Sequence, residues 1–218
     1  MNLLISIGCD KYDSLSTLTC AEADAKALCD ILTTAGDPYS IDHVILLLSP
    51  TTERVRRVLE EAFPLKAGCD SVTFFFAGHG GMAGDSFFLC LSDCKADKLS
   101  TTGLSVSSLF TIINDFKPTQ VNLVIDACGA GGSTFDLRTL IKSEFTGAAT
   151  SSSIAFLGAC CVDQDASEKS GHGLEARKSV SLVAGPACLG KPLRTYTELG
   201  FACVGSYFDE FLHSQKSP

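Results

Sequence analysis

VNLVIDACGAGG, residues 121–132, runs from apolar, β-favouring residues into an aspartate, a cysteine and then glycines. Such a run reads as a strand that stops where a glycine-rich loop begins. A second stretch has the same form. In SVTFFFAGHGG, residues 71–81, a histidine stands where the first stretch has its cysteine. Three further apolar runs have strand length: LLISIG (3–8), HVILLLS (43–49) and SIAFLGAC (153–160). All are continuous rather than alternating, as expected of strands covered on both faces of a parallel sheet. Between them the spacing predicts helices over 21–36, over 51–63 with Ser49 and Pro50 at its start, and over 105–116, stopped by Pro118. Residues 86–93 read as a short accessory strand or hairpin. The expected class is α/β, a mostly parallel central sheet with helices on both faces.

The 218 residues suit one domain with a substantial core. Apolar residues make up 45% and charged residues 19%, a globular composition. The net charge of −8 comes without a Lys/Arg cluster, which argues against nucleic acid or an anionic membrane surface as partner. The N-terminus has too short an apolar run for a signal peptide, and no run approaches a membrane span, so the expected location is cytoplasmic. Eleven cysteines, an odd number without a CxxC pair, argue against a disulfide framework. With the four histidines far apart, a zinc site is not expected either. Most of these thiols are expected to be small core residues. There is no internal repeat. GAATSSS (147–153) and the polar segment 163–173 read as loops, and 194–212 is expected to close the fold with a helix.

In a parallel sheet, catalytic groups gather at the carboxyl ends of the strands. Cys128 and His79 both fall at such ends, each followed by glycines. A thiolate is a strong nucleophile, and a nearby imidazole can take its proton or protonate a leaving group. Exposed peptide N–H groups can hold a developing oxyanion. A dinucleotide loop is disfavoured, because the GxGxxG pattern would need glycine where Thr134 stands.

FFFAGHGG, DSFFLCLSD and DACGAGG, in that order, resemble the caspase-like cysteine peptidases, and among them the metacaspases and bacterial orthocaspases. Caspases place the histidine about 50 residues before the cysteine, as here. The resemblance implies a caspase-hemoglobinase fold over 1–218, with a large-subunit-like part (1–132), a linker (about 133–152) and a small-subunit-like part (153–218). It implies Cys128 as nucleophile, His79 as acid/base, and the N–H groups of Gly80 and Cys128 as oxyanion hole. Asp126 stands where metacaspases carry an aspartate of the pocket for the residue before the cut bond. LTCAEADA (18–25) resembles a first-helix pattern that supplies a second pocket aspartate, here Asp24. Ala77 occupies a substrate-side position where a serine is common. Two carboxylates would favour Arg or Lys in the pocket.

The resemblance has departures: DACGAG replaces DxCHSG, and the residues after the GHG of 171–173 match poorly. Some relatives bind calcium, but Asp85, Asp93, Asp97 and Asp136 are not spaced for it, so no cofactor is assigned. Arg138, Lys142, Lys169, Arg177 and Lys178 are candidate self-cleavage points in linkers. The expected partner is a protein or peptide substrate, together with partner domains or proteins that regulate activation. The expected role is regulated proteolysis in cell death, stress or defence. The alternatives are a catalytically silent caspase-like scaffold and a thiol enzyme of another class, such as an amidase or acyltransferase.

Overall fold

A computed structural model of the chain describes residues 1–34, 41–62, 68–129, 153–161, 178–184 and 196–197, the residues from 128 onward by their backbone course. Among the described residues nine strands form one sheet: β1 (Asn2–Gly8), β2 (His43–Leu48), β3 (Ser71–Ala83), β4 (Ser86–Leu89), β5 (Leu104–Ser105), β6 (Gln120–Gly129), β7 (Ser153–Cys161), β8 (Lys178–Ala184) and β9 (Tyr196–Thr197). The order is β2-β1-β3-β6-β7-β8-β9, parallel from β2 to β7 and antiparallel beyond. All five apolar runs are strands of the parallel part. The chain first steps from β1 outward to β2, then crosses back to β3 on the other side of β1. That reversal makes the gap between β1 and β3 the topological switch point, where open α/β sheets place their ligands.

The helices are α1 (Ala21–Thr34), α2 (Thr52–Glu61), the single turn α3 (Leu99–Thr102) and α4 (Val106–Asn114). Each longer helix is capped by a side chain that the sequence supplies. Asp10 accepts the N–H groups of Ala21 (2.8 Å) and Glu22 (3.3 Å) at the start of α1. Thr51 caps α2 and Ser105 caps α4 through the N–H groups of Arg54 and Ser108. Asp93 adds a second acceptor for α2, taking the Thr52 N–H at 2.8 Å. Asp93 is thereby occupied as a helix cap. Ser49, expected to start α2, does something else. It adopts a left-handed backbone (φ 43°), accepts the N–H groups of Asp10 and Lys11, and donates to Glu22 at 2.6 Å, so it clamps the chain leaving β1.

Strand alternation divides the sheet into two faces. Leu3, Ile5, Ile7, Phe74, Phe76, Leu123 and Ile125 pack against Val55 and Leu59 of α2 and against Leu109, Phe110 and Ile113 of α4. Burying each such side chain contributes roughly 1.5–3 kcal/mol. On the opposite face Leu4, Phe75, Ala77 and Val124 meet Ala21, Ala25, Leu28 and Leu32 of α1.

The structure corrects two expectations. β3 does not stop at His79. It continues through Gly80 and Gly81 to Ala83, because β4 folds back as an antiparallel partner over 80–83. Lys178 is the first residue of β8, paired with Cys161, rather than a loop residue. Tyr196 and Thr197 form β9 near the start of the segment expected to close with a helix, and residues 198–212 lie outside the described residues. The linker 133–152, the loop 163–173, Asp136, Arg138, Lys142, Lys169 and Arg177 lie outside the described residues. Among the described residues, no helix is long and apolar enough to cross a membrane.

Candidate active site

β3 and β6 run side by side in parallel, and their register pairs Ala77 with Asp126, Gly78 with Ala127, His79 with Cys128 and Gly80 with Gly129. The two residues singled out from the sequence, about 50 positions apart in the chain, therefore occupy one rung. Neighbouring strands lie about 4.8 Å apart. Positions 75, 77 and 79 of β3 alternate together, so His79 belongs to the α1 face.

His79 is buried, with 9% of its surface exposed. Its imidazole Nε2 lies 2.9 Å from the backbone oxygen of Ser16 and 3.2 Å from the Ser16 hydroxyl. A carbonyl oxygen can only accept, so Nε2 carries a proton, and in the neutral ring the lone pair falls on Nδ1. The main chain is held as firmly. The His79 N–H donates to the Tyr12 hydroxyl at 2.9 Å, and its carbonyl accepts the Cys90 N–H at 2.9 Å. The Tyr12 ring lies against the imidazole, with centroids 4.9 Å apart at 44°. Both backbone groups of His79 thus point away from β6. Alternation along the strand turns those of Gly80 toward β6. Gly80 must lack a side chain, because a Cβ there would lie 2.4 Å from the Phe87 ring and 3.1 Å from the Ala127 methyl.

Asp126 is half-buried and in register with Ala77 of β3 and Ala159 of β7. Asp24 is half-buried in the first turn of α1, on the same side of the sheet. Ala77 is 2% exposed within the apolar cluster under α1.

Six other cysteines have described surroundings. Cys9, Cys29, Cys69, Cys90 and Cys94 are buried free thiols, and only Cys20 is exposed. Burial pushes the Cys9 thiol up to about 11 and raises those of Cys29 and Cys69. Cys90 donates to Cys94, which raises the first and lowers the second. Cys94 has no exposed surface and sits in a cluster with Phe88 and Leu99. Buried thiols of this kind are inert.

Sequence reasoning missed Tyr12, Ser16 and Cys90. One signal was available. Residues 9–20 join β1 to α1, a connection longer than the roughly 2–6 residues usual there, and long connections at strand ends tend to be functional.

A family model described as the caspase domain matches residues 2–182. No curated protein matches the chain. Among solved structures the chain is similar to a protein of Geobacter sulfurreducens, at 17% identity and a TM-score of 0.51, over 74% of this chain and 73% of that one. It is also similar to caspase-1 of Spodoptera frugiperda, at 16% identity and a TM-score of 0.44, over 74% of this chain and 57% of that one. The Drosophila initiator caspase Dronc aligns at 10% identity and a TM-score of 0.43, over 73% of this chain and 54% of that one. The chain thus spans little more than half the length of these two caspases.

Proposed function

The chain belongs to the caspase domain family, and from that premise we propose that it is a cysteine endopeptidase working through Cys128 and His79. The observation that carries this reading is the rung shared by the two residues on adjacent parallel strands at the carboxyl end of the sheet. Nδ1 of His79, left basic by the Nε2 bond to Ser16, takes the thiol proton of Cys128. The thiolate attacks the carbonyl carbon of the scissile peptide bond, and the oxyanion forms beside peptide N–H groups at the strand ends. His79 returns the proton to the leaving amine, leaving a thioester. Water, deprotonated by the same imidazole, adds to the thioester, and the acid departs with the thiol restored. Each oxyanion donor is worth roughly 3–4 kcal/mol in comparable sites.

For the pocket, Asp126 is the better supported of the two carboxylates. It stands two residues before the nucleophile, one alternation along the same face as the catalytic rung. With Asp24 on the same side of the sheet, the reading is cleavage after Arg or Lys. The natural substrate would be a protein cut at few sites, in regulated proteolysis of the kind caspase relatives perform.

The test is a panel of fluorogenic peptides varying the residue before the cut, assayed with the wild type and Cys128→Ala. Turnover after Arg or Lys that disappears in the variant is the expected result. Turnover after another residue keeps the dyad and removes the pocket assignment. A panel that stays silent, together with a Cys128 that is unlabelled by iodoacetamide, leaves a scaffold rather than an enzyme.

A further inference from the structure

The ladder between β1 and β3 ends in an irregular way. Its last regular rung is Cys9 N–H to Ala77 C=O, at 3.0 Å. In a parallel ladder the next rung would join His79 N–H to Cys9 C=O, and the one after would join Lys11 N–H to His79 C=O. Neither bond is made. The Tyr12 hydroxyl stands between the first pair: it accepts from His79 N–H at 2.9 Å and donates to Cys9 C=O at 2.8 Å. Cys90 N–H, arriving from the end of β4, takes the His79 carbonyl in place of Lys11.

We propose that Tyr12 is a positioning residue of the peptidase site, its hydroxyl spliced into the β1–β3 ladder as a surrogate rung that spreads the two strands and fixes the main chain of His79. The spread opens at the topological switch point, where the segment after β1 leaves the sheet and returns Ser16 to the imidazole. A hydroxyl suits the place because it accepts and donates at once. Interposing it widens the donor-to-acceptor separation by roughly 1.5–2 Å over a direct bond. Burial raises the phenol above its ordinary range, so it remains a donor at any working pH. The Gly78–His79–Gly80 stretch gains a second reason as well. A Cβ at Gly78 would lie 2.8 Å from the Tyr12 oxygen and 2.9 Å from the Phe76 ring, so only glycine lets the hydroxyl seat. The kinetic half of this inference rests on the peptidase reading, whereas the structural half does not.

Tyr12→Phe keeps the ring and removes the splice. His79 N–H and Cys9 C=O must then either close on each other, drawing His79 toward β1, or admit water. Peptide turnover should fall about 10- to 100-fold in kcat with KM within about twofold, as for a small misplacement of a catalytic group. 3-Fluorotyrosine at position 12, which keeps ring and hydroxyl, should stay within about twofold of wild type in both constants. Amide hydrogen exchange at His79 should be at least about 10-fold faster in Tyr12→Phe than in wild type. A kcat within about twofold of wild type in Tyr12→Phe, or an unchanged His79 amide, overturns the proposal. If the wild type cleaves no peptide, the peptidase reading falls, and the two exchange rates alone judge the splice. If Tyr12→Phe does not fold, the wild-type amide decides. Exchange at least about 100-fold slower at His79 than at Ser14 supports the splice, and equal rates refute it.

Discussion

The two faces of the sheet are built from the same strands and differ in kind. Toward α2 and α4, β1, β3 and β6 present Leu3, Ile5, Ile7, Val72, Phe74, Phe76, Val121, Leu123 and Ile125, an unbroken apolar surface. Toward α1 they present a smaller apolar cluster, and among the described residues every buried polar side chain lies on this side: Ser6, Thr73, His79 and Asn122. Each has a partner. Ser6 donates to Ala25 C=O at 2.9 Å, Asn122 to Thr73 at 3.1 Å, and His79 meets Ser16. A buried polar group without a partner is costly, so polar side chains persist only where partners are built for them. One face supplies the hydrophobic driving force. The other spends part of its burial on holding polar groups in place, and the catalytic rung belongs to it.

The largest effect that would break this division concerns chemistry alone. Cys128→Ala should lower peptidase turnover by about 10⁴-fold or more, since loss of a nucleophile leaves only the residual catalysis of binding and oxyanion stabilisation. Steady-state kinetics on the best peptide of the panel measures it, and residual activity near wild type would move the nucleophile elsewhere. Next comes the apolar face. Phe74→Ala should cost about 3–5 kcal/mol in urea unfolding, because the ring is wholly buried in the larger core. Third, Asp126→Asn should lower kcat/KM for Arg and Lys peptides about 10- to 100-fold while sparing peptides with a neutral residue there, the worth of one charged hydrogen bond. A uniform loss across the panel would make Asp126 structural. Fourth, Asn122→Ala should cost about 1–2 kcal/mol, leaving Thr73 without its donor. A cost equal to that of Phe74→Ala would erase the contrast between the faces.

The smallest effect is one of pH. Burial raises the thiols of Cys9, Cys29 and Cys69, Cys9 to about 11, from an ordinary value near 9. A group whose folded pKa is raised contributes its stability fully below the unfolded pKa and loses it as pH climbs to the folded one. These three thiols should therefore leave the urea midpoint unaffected up to about pH 9 and draw it down toward pH 11. Cys9→Ser should change the slope of that decline.

Much of this was legible in the chain itself. The parallel strands announced themselves as continuous apolar runs because both faces of each are covered. His79 and Cys128 could be paired from motif order and spacing. Other features were hidden. Gly80 and Gly81 read as loop residues, yet β4 recruits them into β3. Lys178–Ala184 form a strand that no motif of the sequence marks. Ser49 looked like a helix start and became a clamp on the chain leaving β1. Nothing in CDKYDSLSTLTC (9–20) distinguished Tyr12 or Ser16, since the histidine they hold lies more than sixty residues away.

By itself, the sequence determined which segments must leave water and with what period. It therefore determined the strands, the helices and the residue types able to act as nucleophile and base. Only the tertiary structure decided that β3 and β6 are neighbours in register, that His79 and Cys128 share a rung, and that a tyrosine and a serine from the first connection hold the histidine. Hydrophobic periodicity is a local property written along the chain. A hydrogen bond between distant residues depends on strand order and register, which exist only once the sheet has formed.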